Sequence, residues 1–255
     1  MVTKMIRIRQ PPVYYPRHSS APKRKTRSMT SILIWANIIF FLLVISLAPF
    51  LGQEKFGIFF RDSIALTPST FFSHPWTILT SMFMHAPGAI VMVFSAHLLV
   101  NMISLFFMGS LLERIIGRKR FLFLYFAGGI AGGLLMILLS LISNDLRIIS
   151  LTLFANPAMK TAADISAVGA SAAIFALAGC LAVLIPRMPV LVFFFIPMKL
   201  WHGIIFLMFA LAAFPGIANS AHLGGMFVGL LFAFYLRKKY KRKVVMLNRY
   251  LGLEK

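Results

Sequence analysis

The chain has 255 residues, 60% hydrophobic and only 13% charged, where soluble domains average about 25% charged. That balance excludes an ordinary soluble domain and calls for several segments long enough to cross a ~30 Å hydrocarbon core at 1.5 Å per residue. The net charge of +20 gathers at Lys23-Arg24-Lys25, Arg114 to Arg120 and Arg237-Lys238-Lys239. These clusters flank apolar runs, where basic residues set orientation and meet anionic lipid, so the expected partner is the bilayer and not nucleic acid.

In chain order, residues 1–30 form a basic tail containing Pro and Ser, expected to be flexible. The first apolar run begins only at Ser31 and is too long for a signal h-region, so a retained helix is expected over about 31–50. A connection over about 51–90 holds many isolated polar groups. Helices are expected over about 91–112 and about 120–142, then a polar connection over about 143–165 and a fourth helix over about 167–185. Pro186, Pro189 and Pro197 interrupt the pattern. Helix 5 is therefore placed after Pro197, over about 199–214, leaving Val190 to Ile196 as an apolar interfacial stretch. Starting it at Val190 would bury Lys199 in lipid. Helix 6 covers about 220–236, and residues 237–255 form a second basic tail. The expected architecture is all-α: a polytopic six-helix bundle over 31–236 between two basic tails.

Charge placement orients this bundle. With the amino terminus inside, 22 of the 26 Lys and Arg residues lie on the inner side and 4 on the outer. A multi-pass protein of the cell membrane is expected, with both termini cytoplasmic. Small residues predict how the helices pack. From Ala167 to Ala182, ten of sixteen residues are Gly, Ala or Ser, and Gly128, Gly129, Gly132, Gly133, Gly225 and Gly229 recur on helices 3 and 6. Such residues let backbones approach closely in lipid, so helix 4 should be enclosed by its neighbours. The single cysteine, Cys180, can form no internal disulfide and reads as a small packing residue.

Polar groups inside these helices are costly and therefore mark function. His97 and Asn101, four apart, share a face of helix 2; Ser171 is on helix 4 and His222 on helix 6. Helices 2, 4 and 6 run in the same direction. Ser171 is expected about four residues into helix 4 and His222 about two into helix 6, both within roughly 10 Å of the outer boundary. A serine needs a base to take its proton, which a neutral imidazole supplies. The oxyanion of peptide hydrolysis needs donors, which His97, Asn101 and the Ser171 backbone N–H can supply. His74 and His85, in the outer connection, receive no catalytic role, and His202 is too far from Ser171.

The six acids, Glu54, Asp62, Glu113, Asp145, Asp164 and Glu254, all lie outside helix centres. An aspartyl pair, a His-Glu-x-x-His zinc site and a Ser-His-Asp triad are thereby disfavoured, leaving a Ser-His dyad with no metal and no cofactor. Two other functions compete: a catalytically inactive membrane protein that binds membrane clients, and a transporter relaying protons through His97 and His222. The transporter reading suffers from the lack of buried acids.

Several motifs bear a resemblance to one family. They are His97 to Asn101, Glu113-Arg114 followed by Gly117, Gly169-Ala170-Ser171-Ala172, and Ala221-His222-Leu223-Gly224-Gly225 with Gly229. With Pro75-Trp76 ahead of helix 2, their order and spacing over about 31–236 resemble the rhomboid intramembrane serine proteases. The resemblance implies a six-helix bundle with a water-filled cavity opening outward. It also implies cleavage of membrane proteins, expected to be single-span, within or beside their transmembrane segments. Ser171 matches the nucleophile, His222 the base, His97 and Asn101 the oxyanion pair, and Phe175 an aromatic position packing on the base. Ala172 stands where the family commonly has Gly, which is expected to narrow the oxyanion region; Thr77 stands where Arg is frequent; and the interval from His85 to His97 is longer than usual.

Overall fold

Apolar segments in lipid must satisfy their backbone hydrogen bonds internally, and helices do so. The computed structural model describes residues 28–86, 95–146, 166–192, 195–212 and 218–253. Along these run α1 (Met29–Ser46), α2 (Ala48–Leu51), α3 (Gln53–Phe59), a π-helical turn (Phe60–Ile64) and α4 (Thr77–Thr80). Next come α5 (Ala96–Ser104), a second π-helical stretch (Leu105–Gly109), α6 (Ser110–Ile116), α7 (Arg118–Leu146) and α8 (Ser171–Leu184). An antiparallel hairpin of β1 (Pro189–Val192) and β2 (Ile196–Lys199) precedes α9 (Leu200–Ala212), α10 (Asn219–Lys239) and α11 (Lys241–Tyr250). Most of the amino-terminal tail, the expected start of helix 2, most of the second polar connection and the end of helix 5 lie outside the described residues.

Among the described residues four segments are long and apolar enough to cross a membrane: Met29–Leu51, Ala96–Ile116, Arg118–Ile142 and Asn219–Lys239. Ser171–Leu184 and Leu200–Ala210 are shorter apolar helices. Helix 4, expected over about 167–185, starts later than expected. Ala167 is bridged to Leu66 instead of continuing a helix, and Gly169 takes a φ of 125°, so α8 begins only at Ser171. Helix 5 does start after Pro197, and the stretch before it is the hairpin, with Val190 opposite Met198. Val190, Val192 and Met198 of this hairpin lie against Gly203 of α9.

α8 is the enclosed element that its small residues predict, with twelve of its 14 residues buried. The glycines of α7 divide between two faces. Gly128 lies against Ala176, and Gly132 against Ala172 and the Ala221 carbonyl, which draws α7 onto α8 and α10. Gly129 lies against Met82 and Gly133 against Leu66, which seats the first connection on the adjacent face. From α10, Gly225 and Gly229 meet the backbone of Ala172 and Ala176. The three helices thus touch at backbone level, where packing replaces the hydrophobic drive that lipid does not provide.

Glu113, in the middle of α6, ties this helix to the start of α1. Its carboxylate accepts hydrogen bonds from the Ser28 hydroxyl at 2.6 Å, the Met29 N–H at 2.9 Å, and the Thr30 N–H and hydroxyl at 2.9 and 2.8 Å. The first N–H groups of any helix lack intrahelical acceptors, so this carboxylate caps α1 from a neighbouring helix.

Candidate active site

The backbone ahead of Ser171 is shaped by the first connection. Leu66 and Ala167 exchange backbone hydrogen bonds at 2.9 and 2.8 Å, the Thr67 and Ser166 hydroxyls bond at 2.7 Å, and the Gly169 N–H donates to the Ser81 carbonyl at 2.8 Å. Gly169 is required twice over. Its φ lies in the left-handed region, and a side chain there would stand 2.9 Å from the His97 ring. Ser171 consequently occupies the first turn of α8, not the fifth position expected, and its N–H has no intrahelical acceptor.

The Ser171 hydroxyl meets His222 Nε2 at 2.8 Å. His222, near the start of α10, is buried, and the Phe175 ring stacks on its imidazole at 4.6 Å and 26°. His222 Nδ1 is buried and has no hydrogen-bond partner among the described residues, so the ring is held by the Ser171 contact at Nε2 and by the Phe175 stacking. The expected pair is therefore brought together, with Phe175 beneath it.

His97 and Asn101 line the same cavity, of about 420 Å³, as Ser171 and His222. Ser95 caps α5 by accepting from the Leu98 N–H at 3.2 Å, so His97 sits just inside the helix start, closer to its end than expected. The Ala86 N–H donates to His97 Nδ1 at 3.3 Å. With Nδ1 an acceptor, the imidazole proton belongs on Nε2, the atom beside Gly169. His97 thus turns a donor toward the position flanking Ser171. Asn101 is also buried, and its side-chain N–H donates to the His97 carbonyl at 2.8 Å, a bond within its own helix. An amide nitrogen carries two hydrogens, and this bond uses one.

His85 is the residue that sequence reasoning set aside. It is fully buried, its ring meets that of His97 edge to face at 5.1 Å, and its Nε2 accepts a long 3.5 Å contact from the Ala170 N–H. Burial, with the neighbouring His97, holds this imidazole down to about 3, so it stays neutral and able to accept. His85 therefore backs both the His97 ring and the peptide entering Ser171. Its only signal in the sequence was residue type, because spacing within an irregular connection carries no geometry. His202 packs at a tilt on Trp201 and does not line the cavity; His74 sits edge to face with Trp76.

Of the departures from the family pattern, the Ala172 methyl faces Gly132 and a cluster with Leu66, Met136, Ile137 and Ala221, where it packs α8 against α7. Thr77 is buried and donates its hydroxyl to the His74 carbonyl. The long interval between His85 and His97 falls mostly on residues 87–94, outside the described residues. Among the described residues no group of three His, Cys, Asp or Glu side chains could hold a metal ion.

A family model described as "Rhomboid domain" matches residues 73–239, a stretch containing His85, His97, Asn101, Ser171, Phe175 and His222. No curated protein matches the chain.

Proposed function

The chain belongs to the rhomboid family, and on that premise we propose that it is an intramembrane serine endopeptidase acting through Ser171 and His222. The observation that carries this reading is the 2.8 Å contact between the Ser171 hydroxyl and His222 Nε2, made between α8 and α10 inside a cavity. His222 takes the hydroxyl proton as Ser171 attacks the scissile carbonyl, then returns it to the leaving amine. His97 Nε2–H, the free N–H of Asn101 and the N–H of Ser171 stabilise the oxyanion. The substrates are membrane proteins, expected to be single-span, cut within or beside the membrane. The cavity is walled by Val100 and Ser104 of α5 and by Ile204 and Leu207 of α9, which gives an extended segment an apolar side of approach. The basic clusters favour cytoplasmic termini, with the site opening toward the outer face.

Labelling by a fluorophosphonate probe tests the nucleophile. A single adduct on Ser171 is expected, unaffected by metal chelators. A client-binding member without catalysis predicts no labelling of a folded protein.

Asn101→Ala separates an oxyanion role from a packing role. Loss of one oxyanion donor typically costs about 10²–10³ in kcat, and KM should change little, because the interaction strengthens only in the transition state. Since Asn101 also bonds the His97 carbonyl, melting temperature is measured alongside. A destabilised variant with near-normal kcat would confine Asn101 to holding α5.

A further inference from the structure

We propose that α11, together with the basic end of α10, is a docking face for anionic phospholipid headgroups at the end of the bundle opposite Ser171. Residues 237–253 carry seven Lys or Arg side chains and no Asp or Glu. Positive charge alone would orient the chain without any folded structure. Here the charges are built onto a helix that is strapped beneath the bundle. Asn248 donates to the Leu184 carbonyl at 2.8 Å, capping the end of α8, while Val244 and Leu247 pack on the main core. At the corner between α10 and α11, the Tyr240 hydroxyl accepts from Arg120 of α7 at 2.7 Å, and the Arg120 guanidinium lies 4.8 Å from the Tyr240 ring centre.

With Val244, Leu247 and Asn248 turned inward, the helical period sends Arg242, Met246 and Tyr250 outward together, with Lys243 and Arg249 beside them. Met246 is 68% exposed and Tyr250 88% exposed. An apolar pair framed by cations suits a lipid interface, where tyrosine and methionine reach past the headgroups and basic side chains meet phosphates. Only Tyr240 separates α11 from the membrane-length helix α10, so chain continuity holds the face at headgroup level. A soluble acidic partner would match the charge and leave Met246 and Tyr250 without a counterpart. Lipid matches both. This docking is independent of the protease reading, since none of its residues lines the cavity.

The test uses the full chain with Cys180→Ala and Met246→Cys, carrying an environment-sensitive fluorophore at the new thiol. It is reconstituted in nanodiscs of phosphatidylcholine alone or mixed with phosphatidylglycerol. A blue shift that grows with phosphatidylglycerol and is reversed by high salt is expected. Each basic residue near such a surface is worth about fivefold in affinity, so K241Q/R242Q/K243Q should weaken the response about 10²-fold. Emission that ignores lipid composition would overturn the proposal, as would a shift that survives the triple substitution. If the triple variant fails to fold, the salt titration of the parent decides: a salt-insensitive shift refutes headgroup docking.

Discussion

Ser171→Ala is expected to abolish cleavage of a single-span substrate in reconstituted vesicles while leaving the bundle folded. The hydroxyl makes one hydrogen bond, to His222, and its loss leaves α8 anchored by the small-residue contacts of the next two turns. His222→Ala should be equally silent, because without the base the hydroxyl remains a poor nucleophile. The double variant should be no worse than either single one, since the two groups act as a unit. Rates fitted from the appearance of cleaved product, with melting temperature as the fold control, check all three. Turnover by folded Ser171→Ala near the parental rate would end the serine mechanism.

Gly225→Val should cost almost as much by a different route. A side-chain carbon at Gly225 would overlap the carbonyl of Ala172, the residue directly after Ser171, and backbone cannot step aside as a flexible side chain can. The extra methyl groups must push α10 from α8, carrying His222 away from Ser171. Displacements of about 1 Å at reacting groups can lose about 10²-fold in rate, and overpacking adds about 1–3 kcal/mol of destabilisation. Loss of both kcat and melting temperature is expected, with fluorophosphonate labelling of Ser171 slowed in parallel. A variant with parental kinetics would mean that α8 and α10 are not pressed together at this glycine.

The Ser171–His222 pair was legible in the sequence because both residues lie on regular helices, where direction and rise per residue convert numbering into depth. The burial of α8 was legible for a related reason: a run of Gly, Ala and Ser has little use on a lipid-facing surface. Three features were not. The start of α8 at Ser171 depends on the Leu66–Ala167 bridge, a contact between residues far apart in sequence, and Ala167 to Ala170 read as helix without it. His85 joins the wall of the site through an irregular connection that has no period to read. The final helix was hidden by its charge: Lys241, Arg242 and Lys243 dominate the composition, and the inward set of Val244, Leu247 and Asn248 stands out only once Leu184 is known to lie beneath it.

The early break at Gly169 also settles a question of hydrophobic mismatch. A 14-residue helix is about 21 Å long, some 9 Å short of a ~30 Å hydrocarbon core. At the perimeter of the protein, such a helix would force the surrounding bilayer to thin. α8 is walled in by α7 and α10 through glycine contacts, so acyl chains never gauge its length. Ahead of Ser171 the helix gives way to Ala167–Gly169, which Leu66 and Ser81 of the first connection hold by backbone hydrogen bonds beside the cavity.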